Sequence, residues 1–475
     1  MFAKSKIIRH NMKIFGKMIT IAGMAAALVS CADKAVQGAG DAAQEGNFKY
    51  LMDEFADLKI MRYQVPGWDA LTLQQKEYVY HLSEAAKYGR DIIWMQNCKY
   101  NLDVRKALEN ILENYKGDRT CEDWAKFETY AKRVFFSNGI HHHYAEDKFF
   151  PECSQDYFQS LMTAVGDEAK CAELLPVIFD PAVYPARKMM AGKDIVAESA
   201  VNFYDGVTRA EVEAFYAAMV DPSDKTPVSY GLNSKVVKGA DGVVREDVYK
   251  VGGLYGPALE KICAELEKAA AVAENETQKA YIADLVKYYQ TGDLKLWDEY
   301  NIKWVNDTLG TVDFVNGFVE DYNDPLGRKA TWEGLVNFKD AEASLRTELI
   351  SENAQWFEDN SPVDPRFKKK EVKGVTAKVI NVATLAGDCY PAAPIGINLP
   401  NADWIRREHG SKSVTIANLT SAYNMAAQES PKNQLGEFAW SEEEIALEKK
   451  YGALTNDLHT DLHECLGHGS GKLLP

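Results

Sequence analysis

The feature that most restricts the fold of this 475-residue chain is a change of apolar period near Tyr300. From about Tyr50 to Tyr130 apolar residues recur at helical spacing, as in Tyr78, Leu82, Ala85 and Ala86, and Ala258 to Tyr289 is a second such stretch. Thr208 with Glu211 makes a capping-box pattern ahead of AEVEAFYAAMV, which predicts a helix start there. Between them, SKVVKGADGVVREDVYKVGG sets two β-branched runs around Ala240-Asp241-Gly242, the pattern of a hairpin. Past Tyr300, GTVDFVNGFVEDYNDPLGRK alternates from Val312 through Phe314 and Phe318 to Glu320 and Tyr322, strand periodicity that runs into an Asp-Pro-Leu-Gly turn. A helical segment is expected around Glu333 to Phe357. AKVINVATLAGDCYPAAPIGINLPNADW, rich in β-branched residues and proline, predicts strands and extended backbone. Ser441 with Glu444 forms a second capping box that opens a helix toward Tyr451, and HECLGH is expected on the next helix. The expected class is mainly α with a small β-core in the second half, an α+β fold.

The length suffices for two or three domains, each with its own core. With 46% hydrophobic and 26% charged residues the body has an ordinary globular composition, and a formal net charge of −16 argues against a nucleic-acid partner or an anionic lipid surface. An acidic body favours cationic ligands such as peptide amino termini. The first residues differ from the rest: Lys4, Lys6, Arg9, Lys13 and Lys17 precede an apolar run, Met18 to Val29, too short to span a bilayer and laid out as a secretory signal. Its end, Leu28-Val29-Ser30-Cys31, resembles a bacterial lipobox. Residues 1–31 are thus expected to be a lipoprotein signal peptide with Cys31 lipidated, and 32–49 a tether; a plain signal peptide cut elsewhere is the alternative. The expected location is a bacterial envelope, with membrane contact only through the anchor, or else the soluble periplasm. The seven other cysteines are irregularly spaced and contain no Cys-x-x-Cys, which indicates neither a disulfide framework nor a zinc ribbon.

The chemistry concentrates at His463-Glu464-Cys465-Leu466-Gly467-His468. Histidines at i and i+4 fall about 40° apart around a helix and reach one zinc ion, with an adjacent Glu to polarise water. Here the spacing is i to i+5, about 140° on an ideal helix. Two such imidazoles meet one metal only if the helix is deformed, and Gly467 is where a bend or a π-bulge costs least. Helix-face histidines without a metal are the plainer alternative, outweighed by the flanking Glu464 and Gly467. GHGSGK fails as a phosphate loop, with Leu466 where Gly is needed and Leu473 where Ser or Thr is needed. His141-His142-His143 reads as a solvated or substrate-facing loop, because consecutive side chains diverge. Cys465 reads as a thiol near the metal, open to oxidation.

HECLGHGSGKL, GINLPNADW and FVEDYNDPLG, in that reverse order along the chain, resemble segments of the dipeptidyl peptidase III family of zinc metallopeptidases, whose signature is His-Glu-x-x-Gly-His. The HECLGH form resembles the bacterial branch, and the likeness extends loosely from about Tyr50 to the end. The resemblance implies two lobes around a wide cleft, one with a five-stranded β-core and a helical one that binds zinc. It divides the chain into a mostly helical lobe with β elements (50–332), a segment of the zinc lobe (333–378), a β-core and hinge segment (379–425) and the start of the zinc lobe (426–475). It implies His463 and His468 as ligands of one zinc ion and Glu464 as general base toward the attacking water. Tyr322 would donate to the developing oxyanion, and Glu320, Asn398 and Asn401 would hold the ammonium of a short peptide. If they lie on a strand, Glu320 and Tyr322 share a face. Taken alone, those residues also suit an edge-strand pair and a turn flanking Pro400. Catalytic zinc takes three protein ligands. The family's third, a Glu on a later helix, is expected beyond Pro475, so the chain is expected to be a truncated piece of a longer precursor that by itself binds zinc weakly and lacks peptidase activity. Release of N-terminal dipeptides is the implied activity; a peptide-binding envelope lipoprotein without chemistry is the alternative.

Overall fold

The computed structural model describes residues 48–372, 375–429 and 434–472. The signal segment, Cys31 and the tether up to residue 47 lie outside them. The chain divides into two units, Met1–Tyr50 and Leu51–Pro475. Of the first, Phe48–Tyr50 are described, with the Phe48 and Tyr50 rings edge to face at 4.7 Å. The second holds every element that follows.

It opens with a hairpin, β1 (Leu51–Phe55) and β2 (Leu58–Met61), where helical spacing was expected from Tyr50. Ala56 turns the chain at a φ of 48°, and helical structure starts later, at a capping box. There Thr72 Oγ1 accepts from Gln75 N and Thr72 N donates to Gln75 Oε1, which opens the helix Leu73–Tyr88. Five more helices follow between Arg90 and Phe179 and enclose their own core around Phe127, Phe158, Leu108 and Ile178. β3 (Tyr204–Asp205), β4 (Ser234–Lys238) and β5 (Val244–Val248) form a small sheet whose β4–β5 hairpin is the expected one. The capping box at Thr208 opens the helix Arg209–Ala217, also as expected.

Four helices, Leu73–Tyr88, Gly256–Ala271, Glu276–Thr291 and Leu294–Asn306, pack into one large core with a five-stranded sheet. Its strands are β6 (Val312–Glu320), β7 (Thr331–Lys339), β8 (Val375–Gly387), β9 (Gly396–Leu399) and β10 (Ser411–Ile416), in the order β6-β7-β8-β10-β9. β6, β7 and β8 are antiparallel, β10 runs parallel to β8, and β9 pairs antiparallel with β10 as the edge. The α+β class with a small β-core is therefore as expected.

Two readings of this region change. The segment from Glu333 is strand as far as Lys339, and the helix Ala341–Glu352 begins only after Asp340, whose Oδ1 accepts from Ala343 N at 3.0 Å. Nearly every residue of β7 is buried, and a strand covered on both faces loses the alternation that marks a strand in sequence. β6 ends at Glu320, with Tyr322 beyond it in the turn, so strand alternation does not bring the two together. Phe318 pairs with Trp332 and Glu320 with Thr331, which leaves Val319 as an extra residue. That bulge resets the alternation one step before Glu320 and turns its carboxylate out of the core that Phe318 enters.

Candidate active site

HECLGH lies on no separate helix. Glu442–Leu462 runs straight into one π turn, His463–Gly467, closed by His468 N donating to His463 O at 3.1 Å. Bonding from i+5 to i stacks residues that an α-helix would splay, and the rings of His463 and His468 stand 4.8 Å apart with perpendicular planes. Gly467 is not needed for its torsion: a Cβ there would lie an ordinary 3.8 Å from His463 Nδ1. The π turn is fixed from outside. Arg346 Nε, on Ala341–Glu352, is paired with the buried Asp461, and Ile350 of the same helix packs on Cys465. Cys465 is consequently 1% exposed, its thiol pushed up to about 12 by burial, and it points into this contact rather than toward the cavity, contrary to its reading as an oxidisable neighbour of the metal.

Glu464 goes the other way, onto the edge strand. Its carboxyl rests on the backbone of Gly396, where a Cβ would come within 2.2 Å of Oε1 and 2.7 Å of Cδ. Its main-chain oxygen accepts from Ser413 Oγ on β10 at 3.1 Å. Burial pushes the carboxyl up to about 7, and Oε2 is buried without a partner. Desolvation also lowers His468, which keeps its ring neutral and able to donate a lone pair. Potential ligand atoms of His463, Glu464 and His468 all lie within 4.8 Å of one another. Two imidazoles and an open carboxylate oxygen fit a divalent cation of the zinc type.

The trio opens on a cavity of about 780 Å³ that Glu320, Tyr322, Asn398 and Asn401 also line, so every candidate residue within the described chain faces one space. Asn401 Nδ2 donates to Glu320 Oε2 at 3.1 Å and to Val319 O at 3.3 Å. Asn398 sits opposite Ser413 in the β9–β10 register and donates to Ser413 Oγ at 2.5 Å and Ser411 Oγ at 3.1 Å; its Oδ1 is buried and unpartnered. Burial raises Glu320, and the charge of Glu320 is the main cause that pushes Tyr322 up to about 12.

Several lining residues escape a reading of the sequence. Glu333 and Asp388 add two carboxyl groups near Glu320; Glu333 is pushed strongly up by burial and then by the charges of Glu320 and Asp388, and the Cys389 thiol donates to it at 3.6 Å. A lone carboxyl in the apolar run TWEGLVNF was the available signal, because a buried charge needs a reason. Of the three consecutive histidines, His141 is buried against Tyr184 O, His142 stacks on His143, and His143 reaches the cavity beside Tyr144 and Arg187. Gly396, unremarkable in sequence, gives up its side chain to Glu464.

An open cavity with a His-Glu-x-x-x-His trio, set in an α+β body, is the arrangement of a metal-dependent hydrolase. The profile of Peptidase family M49, a family of zinc metallopeptidases, matches residues 229–475, more than half of the sequence, and the chain belongs to that family. It is 25% identical over 440 residues to dipeptidyl peptidase 3 of Dictyostelium discoideum, covering 86% of this chain and 60% of that protein. Against the Homo sapiens dipeptidyl peptidase 3 it is 26% identical over 456 residues, covering 85% and 59%. The chain thus spans about 60% of the length of these curated relatives. The fold matches the structure of DPP III from Caldithrix abyssi with a TM-score of 0.60 at 20% identity, covering 85% of this chain and 65% of that one. For dipeptidyl-peptidase III from Corallococcus sp. strain EGB the TM-score is 0.55 at 20% identity, with 76% and 56% covered.

Proposed function

We propose that this chain carries the substrate-binding cleft and the first ligands of a zinc-dependent dipeptidyl peptidase, which releases N-terminal dipeptides from short peptides. The observation that supports this best is that the His463, Glu464, His468 trio and the Glu320–Asn401 pair face the same cavity. Zinc held by His463 and His468 would supply Lewis acidity at the scissile carbonyl. Glu464 takes a proton from the attacking water and returns it to the leaving amine, a task suited to a carboxyl near 7. Tyr322, kept as a phenol, donates to the developing oxyanion. Glu320, the unpartnered Asn398 Oδ1 and the Asn401 amide accept from the substrate ammonium, and β9 offers its free edge to an extended peptide. The distance from that clamp to the trio sets the dipeptide register.

The third protein donor that catalytic zinc takes is proposed to come from the family length that this chain does not span. The test is dipeptide release from tetra-alanine by the protein extended to that length. Glu464→Gln should abolish release with zinc content unchanged; loss of zinc would show that Glu464 is misassigned. Stoichiometric tight zinc and turnover by the 475-residue chain alone would overturn the placement of the third donor. We also propose attachment to a bacterial envelope through lipidated Cys31, for which Cys31→Ser should move the protein from the membrane to the soluble fraction; unchanged fractionation would count against it.

A further inference from the structure

Near its end the helix Glu442–Leu462 carries a third histidine, one that the His-Glu-x-x-Gly-His signature does not include. His459 precedes His463 by four residues, and His463 N donates to His459 O, so the chain between them is regular α-helix up to the start of the π turn. Side chains four apart on such a helix stand one above the other, with Cβ atoms about 5–6 Å apart. His459 and His463 both line the cavity. His468 follows His463 across the π turn, with the two rings 4.8 Å apart. His463 therefore belongs to two pairs, an outer one with His459 and an inner one with His468.

The pairs differ in what surrounds them. The inner one has Glu464, with a potential ligand atom within 4.8 Å of those of both imidazoles, and among the described residues no such trio includes His459. His459 is exposed, and among the described residues no hydrogen bond or ion pair holds its ring, which leaves it free to turn toward His463. Histidines one helical turn apart are the spacing at which two imidazoles on one helix face reach one ion, with metal–nitrogen bonds of about 2.0–2.1 Å. Two imidazoles with water in the remaining positions suit the tetragonal geometry of nickel and copper, which also stand high in the order of divalent affinities. We propose that His459 and His463 form a second cation site, for divalent ions of the nickel or copper type, and that it competes with the zinc position for His463. An imidazole that keeps its ring proton has one lone pair to give, so His463 serves one cation at a time. A cation on the outer pair withdraws it from the inner one. The competition rests on the reading of His463 and His468 as zinc ligands, whereas the outer pair does not.

The experiment is calorimetric titration of the 475-residue chain with nickel chloride. His459→Ala should weaken nickel binding at least tenfold, and so should His459→Gln and His463→Ala, while His468→Ala should change it less than threefold. His459 is exposed, so both of its substitutions should leave the fold intact, which circular dichroism checks. No nickel bound by the parent, or an affinity unchanged in His459→Ala, overturns the site. A loss in His468→Ala as large as in His459→Ala would put nickel on all three histidines and overturn the division into two pairs. Titration with zinc chloride should show the reverse dependence, on His468 and not on His459. Zinc binding that ignores His468 while nickel still requires His459 would sink the zinc reading of the inner pair and leave the outer site standing.

Discussion

Gly396→Ala isolates the placement of Glu464 from every other feature of the site. A Cβ at this position would lie 2.2 Å from Oε1, whereas ordinary contacts begin at 3.4 Å, so the carboxyl must move by about 1.2 Å, the difference of the two. Gly396 has no positive φ, so alanine introduces no torsional strain, and the clashing atoms are the end of a flexible side chain. The fold should survive, with overpacking costing roughly 1–3 kcal/mol. A misplacement of about 1 Å at a reacting group costs on the order of 100-fold, or ~2.7 kcal/mol of activation free energy. In the protein carrying the family's full length, kcat/KM for tetra-alanine should fall about 100-fold, carried by kcat, with zinc content and peptide affinity unchanged. Adding Gly396→Ala to Glu464→Gln should cost nothing more, because both act through one carboxyl. Retention of kcat/KM within about threefold would refute the reasoning, and so would a loss confined to KM.

Three further outcomes follow from buried charge. Asp298, 6% exposed, is raised from 3.8 to about 7 by burial. An acid raised in the folded state carries no penalty below its unfolded value and the full penalty above its folded one. Asp298→Asn should therefore leave denaturant stability unchanged near pH 3.5 and raise it above pH 7, by up to ~4 kcal/mol. Lys329, fully buried, donates to Tyr216 and Ser234 and lies 3.7 Å from Glu246, which ties the turn bearing Tyr322 to the small sheet. Lys329→Met removes the cation beside that carboxylate, which Tyr216 and Ser234 still hydrogen-bond, and should cost roughly 1–3 kcal/mol in urea unfolding. Glu320 is raised by burial and must be ionised to hold an ammonium, so trialanine affinity should fall as pH drops through its raised value. Glu320→Gln should flatten that dependence in calorimetry.

The helices and hairpins that cap themselves were legible: Thr208 with Glu211, and the runs around Ala240-Asp241-Gly242, carry their own turn chemistry and folded as written. What escaped was decided by distant partners. β7 lost its alternation because the core covers both faces, and Val319 became a bulge only against Trp332 and Thr331. The site divides in the same way. His463, Glu464 and His468 are readable because metal chemistry fixes residue type and spacing, whereas Glu333, Asp388 and Arg406 are ordinary residues until the sheet and the helix after it bring them to one cavity.

The five-residue spacing can be taken one step further. A π turn gives His463, Glu464, Cys465 and His468 three destinations: the imidazoles to the cavity, the thiol to Ile350, the carboxyl to β9. The last is available only because position 396 has no side chain. HECLGH and GINLPNADW therefore form one structural unit rather than a metal motif and a separate amine-binding motif, and each depends on the other for geometry. A chain that kept HECLGH but carried a side chain in place of Gly396 could still gather its histidines, yet it could not seat its glutamate. Such a chain should bind metal and fail at proton transfer, which separates the two halves of the motif's chemistry by a single methyl group in a different segment.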